Sequence, residues 1–453
     1  MELISPLDNI FLLGESREHP MHVGGLQLFV PPDGAGPEFV RDTYEAMLLC
    51  TDVQPTFRKH PAFLGGVTNI AWVEDKDVEL DYHLRRSALP APGKVRDLLE
   101  LTSRLHGYLL DRHRPLWEAH LVDGLTDGRY ALYVKIHHAL IDGVSAQRLM
   151  QRTMTPDPND DELRVAWTLR PRRHKSASRG PSPLQMLART AGSVAALAPS
   201  TLSLARAALI EQQLTLPFQA PKTMFNVRIG GARRVAAQSW SLERVKRVKA
   251  AAGGVTVNDV VLAMCAGALR GYLLEQSALP DTPLVAMVPV SLRTDERADR
   301  GGNMVGTILC NLATHLDDAG KRLEAIHESM NDNKQVFSQL PQIQQFALSA
   351  FLTGGIAFSL VPGFVAAAPP PFNIVISNVP GPREPLYWKG ARLDGNYPLS
   401  IALDGQALNI TLTNNADNLD FGLVGCRRSL PHLQHLLGHL EDSLKDLERS
   451  AGV

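Results

Sequence analysis

Two adjacent histidines, a carboxylate four positions further on and a glycine directly after it stand in His137-His138-Ala139-Leu140-Ile141-Asp142-Gly143. Those residue types suit general base catalysis. An imidazole has an unperturbed pKa of about 6.5, so a modest environment keeps it neutral and proton-accepting near pH 7. Such a base can activate a hydroxyl acceptor directly, with no serine or cysteine nucleophile. Asp142 has two roles open to it: orienting an imidazole, or bracing the loop by pairing with an arginine. Gly143 would let the turn adopt a conformation that a Cβ forbids. The same residues also suit a plain strand end with two satisfied histidines and an Asp-Gly turn, so the surroundings must decide.

The element that must position this segment comes just before it. Tyr130 to Ile136 is an apolar, alternating run and reads as a strand. Val144-Ser145-Ala146-Gln147-Arg148-Leu149-Met150 reads as the first turns of a helix. The pair of histidines therefore sits at a strand end, where rigid scaffold can present a side chain to a cleft. Neighbours on an extended backbone point to opposite faces. One histidine should face a substrate and the other the core.

The 453 residues suggest two to three domains, and a hydrophobic content of 44% supports large buried cores. Charge is balanced, with 46 Lys+Arg against 47 Asp+Glu, so nothing global attracts nucleic acid. Cys50, Cys265, Cys310 and Cys426 lie far apart and form no CxxC. They read as reduced thiols of a cytosolic protein, and no metal site is expected. Met1 to Asp8 lacks the basic start of a signal peptide. Ser5, Pro6 and Asp8 look instead like an N-cap, an N1 proline and an N3 acid. Phe346 to Ala368 carries no charge and is long enough to span a bilayer. Gly354-Gly355, Pro362-Gly363 and Pro369-Pro370-Pro371 interrupt or end it, which favours a buried helix pair or an interfacial surface.

Composition divides the chain into three parts. Residues 1–155 mix strands and helices, with a strand at His22–Val30 and a helix at Val95–Leu109. Residues 156–224 hold an acidic turn-rich stretch, a basic Ser/Arg/Pro-rich linker from Arg170 to Pro183, and an Ala/Leu-rich helical segment from Met186 to Gln213. Residues 225–453 form the second lobe. There Thr256 and Asp259 resemble a capping box opening a helix to about Glu275. Strands are expected at Pro283–Leu292, Phe372–Val379, Tyr397–Leu403, Ala407–Asn414 and Asp420–Cys426. Helices are expected at Glu324–Gln345 and Leu430–Arg449.

The His137–Gly143 segment resembles the HHxxxDG signature of the CoA-dependent acyltransferase superfamily. That superfamily includes chloramphenicol acetyltransferases, carnitine acyltransferases and peptide-synthetase condensation domains. The whole chain is similar to the bacterial wax ester synthase/acyl-CoA:diacylglycerol acyltransferases. The supporting segments are Ser5-Pro6-Leu7-Asp8, Pro20 to Leu26, Pro115-Leu116-Trp117-Glu118, Val257 to Ala263, Pro289 to Arg293, Gly302 to Gly306 and Asn373 to Pro382.

The resemblance implies an α/β fold of two chloramphenicol-acetyltransferase-like lobes, with mixed sheets flanked by helices and a tunnel between them. Its implied base is His138, beside His137, Asp142 and Gly143. Its implied substrates are a fatty acyl-CoA as co-substrate and a diacylglycerol or long-chain alcohol, with no permanently bound cofactor. A membrane surface or lipid droplet is the expected partner, placing the protein in the cytoplasm at the periphery of the inner membrane or of droplets.

Asn258, near a helix start, is a candidate for acceptor binding. Ser377 and Asn378, at the end of an apolar strand, are candidate donors to an oxyanion. Arg293 is the candidate partner of Asp142, because a buried unpaired carboxylate is costly. Met21 to Gly25 should shape the tunnel wall, with His22 a remote second base. Two other functions compete: a condensation-domain-like amide-forming enzyme, and a catalytically silent protein of lipid droplets or membranes.

Overall fold

The computed structural model describes residues 2–62, 71–170, 215–291, 305–339 and 364–453. The basic linker, the Met186–Gln213 segment, Arg293 and most of Phe346–Ala368 lie outside the described residues.

Local chemistry sets the elements that matter for the site. Ser5 caps the helix Pro6–Gly14, its hydroxyl accepting from the Asp8 amide. Thr256 and Asp259 form a reciprocal capping box at the start of the helix Val257–Glu275: Thr256 Oγ1 accepts from the Asp259 amide at 3.2 Å, and Asp259 Oδ2 from the Thr256 amide at 2.8 Å. The latter helix is long and apolar enough to cross a membrane. It is buried through most of its length, from Val260 to Leu273, so it is a core helix of the second lobe.

Two six-stranded mixed sheets organise the molecule. The first runs Tyr387–Trp388, Ala391–Leu399, His22–Val30, Tyr130–His137, Trp117–Asp123, Leu84–Ala88. Its pairs are antiparallel except the last, which is parallel. The second runs Val305–Asn311, Val285–Ser291, Ile374–Val379, Leu408–Asn415, Asn418–Cys426, Arg233–Ser241, with Ile374–Val379 parallel to both neighbours. Apolar residues of both sheets and of the helices Val257–Glu275 and His435–Ala451 share one continuous core. The other face of the first sheet buries Phe29, Trp117, Tyr130, Trp167 and Trp388.

The sheets do not follow the boundary expected at residue 225. Tyr387–Trp388 and Ala391–Leu399 come from the C-terminal part yet complete the first sheet beside His22–Val30. Composition does not show this exchange, because Asp394, Gly395 and Asn396 break the apolar pattern of the lent strand. In the structure a register shift between Leu393 and Gly395 and a 2.6 Å hydrogen bond from the Asn396 amide to Asp420 Oδ2 accommodate them. For the same reason the strand expected from Tyr397 begins at Ala391 and ends at Leu399.

Candidate active site

The strand Tyr130–His137 ends where two neighbours grip its last amides. His137 N–H donates to Leu116 O at 3.0 Å, and His138 N–H donates to Met21 O at 2.8 Å. The chain then turns, with Leu140 N–H reaching back to His137 O at 2.9 Å. Pro115-Leu116-Trp117 and the start of the His22–Val30 strand are therefore the clamps that fix the histidine pair.

The two imidazoles part as an extended backbone requires. His137 is fully buried. Its Nδ1 accepts from the Ala139 amide at 3.1 Å, so the ring proton sits on Nε2. That Nε2 faces Glu15 Oε1 at 3.4 Å, longer than a well-formed hydrogen bond. Glu15 is in turn held by Arg112 Nε at 2.8 Å. Burial alone would raise the Glu15 carboxyl, but His137 and the Arg112 guanidinium more than offset it and hold its pKa below the usual range. Leu12, Leu116 and Ala139 belong to one apolar cluster, which anchors the Pro6–Gly14 helix to the histidine loop. Burying a leucine such as Leu12 contributes roughly 1.5–3 kcal/mol to that anchoring.

His138 is half-buried and stacks on Phe11, ring centroids 4.1 Å apart and planes at 16°. It faces a cavity of about 460 Å³ between the two sheets. Loss of hydration lowers its pKa below 6.5, while a hydrogen bond to its own backbone and the charge of Asp142 act the other way. The ring is thus a neutral proton acceptor at pH 7. Val23, Gly24 and Gly25 line the same cavity, as expected of the wall. His22 does not. It lies opposite His137 in the sheet, buried against His106 with a depressed pKa.

Asp142 caps the helix Gly143–Gln151. Oδ1 accepts from the Ser145 amide at 2.9 Å and Oδ2 from the Ser145 hydroxyl at 2.7 Å. A cap of this kind is worth about 1 kcal/mol. Both oxygens are engaged locally, so the carboxylate fixes the loop rather than hydrogen-bonding an imidazole. Whether Arg293 adds to this lies outside the described residues. Gly143 is not the turn glycine expected from the sequence. It is the first residue of the helix and does not take the left-handed conformation. A Cβ there would meet nothing within 4 Å, and the position borders the cavity, so the missing side chain leaves room rather than relieving strain.

From the second lobe, Ser377 lines the cavity. Asn378, next on the strand, turns to the other side and meets Asn258, Nδ2 to Oδ1 at 3.5 Å. Neither asparagine is among the residues lining the cavity. Beside Asn258, Asp259 is fully buried and bound to His327 Nδ1 at 2.8 Å, so this corner is a braced helix start. Among the described residues no group of three or more His, Cys, Asp or Glu side chains could hold a metal ion.

The arrangement is a proton acceptor in a largely apolar cavity between two lobes, and comparison with known proteins gives it a family. The wax ester synthase/diacylglycerol acyltransferase catalytic domain matches residues 4–261, and the C-terminal domain of the same family matches residues 301–448. The chain belongs to the wax ester synthase/diacylglycerol acyltransferase family. A Mycobacterium tuberculosis protein named "Probable diacyglycerol O-acyltransferase tgs2" is 66% identical over the full length of both chains. "O-acyltransferase WSD" of Acinetobacter baylyi is 41% identical over 99% of this chain and 97% of its own. The solved wax ester synthase/diacylglycerol acyltransferase of Marinobacter aquaeolei is 41% identical, covers 100% of both chains and has a TM-score of 0.79. The first condensation domain of the CDA synthetase, at 17% identity, 99% of this chain, 95% of its own and a TM-score of 0.56, shares the fold.

Sequence reasoning missed Phe11, Glu15 and Arg112 as parts of this family member's site. Glu15 stands just before the Pro20–Leu26 segment, but its partners His137 and Arg112 are about a hundred residues away. The pattern of types gave no signal for such a long-range contact.

Proposed function

We propose that this protein transfers a long-chain fatty acyl group from acyl-CoA to the hydroxyl of a diacylglycerol, and also to long-chain alcohols, with His138 as general base. The observation that supports it most is His138 itself: a half-buried imidazole, kept proton-accepting by burial, facing an apolar cavity that both lobes line. Names of full-length relatives at high identity support the same chemistry.

In this reading the acceptor hydroxyl gives its proton to the free nitrogen of His138 as its oxygen bonds to the thioester carbonyl carbon. The carbonyl π electrons move to oxygen, giving a tetrahedral oxyanion, for which Ser377 is the proposed donor. The oxyanion collapses, the C–S bond breaks, and the CoA sulfur takes the proton from His138. No covalent acyl-enzyme and no resident cofactor is needed. His137 and Asp142 act by holding the loop.

The acceptor is insoluble in water, so the proposed place of work is the cytoplasmic periphery of the inner membrane or of lipid droplets. Leu3, Ile10 and Leu13, exposed by 67%, 47% and 59% near the N-terminal helix that carries Phe11, support that placement. Failure to sediment with liposomes or droplets would exclude it.

The deciding experiment is thiol release from palmitoyl-CoA, with dioleoylglycerol and separately with hexadecanol, for wild type and His138→Ala. Loss of about 10²–10⁴-fold in the folded variant is expected. Undiminished turnover would remove His138 from the role of base.

A further inference from the structure

Of the polar side chains bordering the His138 cavity, Gln147 stands apart. It lies on the helix Gly143–Gln151, one turn beyond Gly143 and on the same face. It is 7% exposed and lines the cavity, and among the described residues its amide Nε2 has no hydrogen-bond partner. Leaving a buried donor unmade is costly. A carboxamide held this way inside a largely apolar space is suited to meet a ligand acceptor.

The second lobe adds polar groups to the lining of the same cavity. Asn409 and Thr411, 4% and 5% exposed, line the cavity from the second sheet, with the Thr411 hydroxyl donating to Asn409 Oδ1 at 2.8 Å. Hydrocarbon chains need none of these groups. An alkanol offers only the hydroxyl that His138 would engage. A diacylglycerol offers that hydroxyl and, on the adjacent carbon, an ester whose carbonyl only accepts hydrogen bonds. The buried Gln147 amide nitrogen has no acceptor among the described residues, and an ester carbonyl would supply one.

We infer that Gln147 is a specificity-determining residue: it donates to an ester carbonyl of a glyceride acceptor and biases the site towards diacylglycerol over simple long-chain alcohols. This rests on the acyltransferase reading above. A site built to hydrogen-bond a substrate group discriminates against the analogue lacking it, because its own donor is then left unpaired.

The test compares wild type with Gln147→Leu and Gln147→Met, which keep similar bulk and remove the donor. Thiol release from palmitoyl-CoA is measured with dioleoylglycerol and with hexadecanol in the same preparation. The ratio of kcat/KM for dioleoylglycerol to that for hexadecanol should fall about tenfold or more, mainly through KM for dioleoylglycerol. Because selectivity is a ratio within one preparation, a smaller folded fraction cancels. An unchanged ratio, whether both activities fall together or neither falls, would overturn the assignment; a joint fall would point to the thioester carbonyl or to packing instead. If wild type releases no thiol with either acceptor, the acyltransferase reading itself fails, and this inference with it.

Discussion

Glu15 Oε1 lies 3.4 Å from Nε2 of His137, while Arg112 holds the other carboxylate oxygen at 2.8 Å. The contact ties the N-terminal helix to the first histidine of the pair, whose tautomer the Ala139 amide sets by donating to Nδ1. It makes Glu15 a positioning residue for His138, one peptide unit away.

Glu15→Gln should therefore lower kcat about tenfold or more, with little change in KM for palmitoyl-CoA, since nothing that contacts substrate is removed. Initial-rate kinetics on the folded variant decides it. A rise in KM at unchanged kcat would show that Glu15 shapes binding instead.

The rate should fall on acidification only below the ordinary histidine range. Burial lowers the His138 pKa from 6.5, and the imidazolium cannot accept a proton, so the acid limb of kcat/KM lies below that value. Phe11→Ala opens one ring face to water and weakens the desolvation that depresses the pKa. The limb should then move to higher pH. A limb that stays in place would mean that Phe11 does not control hydration of the ring.

Stability should fall as the pH drops from about 7.5 to 5. Burial lowers the pKa of His22, His83, His106, His120 and His138, that of His106 to about 3. Below about 6.5 the unfolded chain binds protons that the fold refuses, so each such group costs up to about 1.4 kcal/mol per pH unit until its folded pKa is reached. Asp420, raised to about 6 by burial, works in the opposite sense, losing stability as the pH rises from 3.8. Five histidines against one aspartate set the sign, and Tm across that range measures it.

Gly422→Ala should destabilise the protein by about 1–3 kcal/mol. A Cβ at Gly422 would lie 2.0 Å from the Pro398 carbonyl oxygen, backbone against backbone at the meeting of the two sheets. At Gly25 a Cβ meets nothing within 4 Å, so Gly25→Ala should leave Tm nearly unchanged. Thermal unfolding of the pair checks the contrast.

Much of this was legible in the residues. The strand at His22–Val30 and the capping box at Thr256–Asp259 follow from alternation and capping chemistry, which act within a few residues. The division of labour between His137 and His138 follows from strand geometry alone. What the sequence hid depends on distance along the chain. Glu15 and Arg112 meet His137 only after folding, and the lent strand Ala391–Leu399 carries a polar Asp-Gly-Asn interruption. Gly143 looked like a turn glycine because Asp-Gly usually marks one, whereas here the aspartate caps and the glycine begins a helix.

That lent strand also sets a timetable. During synthesis the His22–Val30 strand emerges early, but the partner that covers its outer edge is complete only once Leu399 has been made. Until then the growing chain carries an open row of backbone donors and acceptors, the kind of edge that recruits strands from neighbouring molecules. Cutting the gene between the two halves would make that interval permanent, so the N-terminal half expressed alone should aggregate unless residues 387–399 are supplied with it.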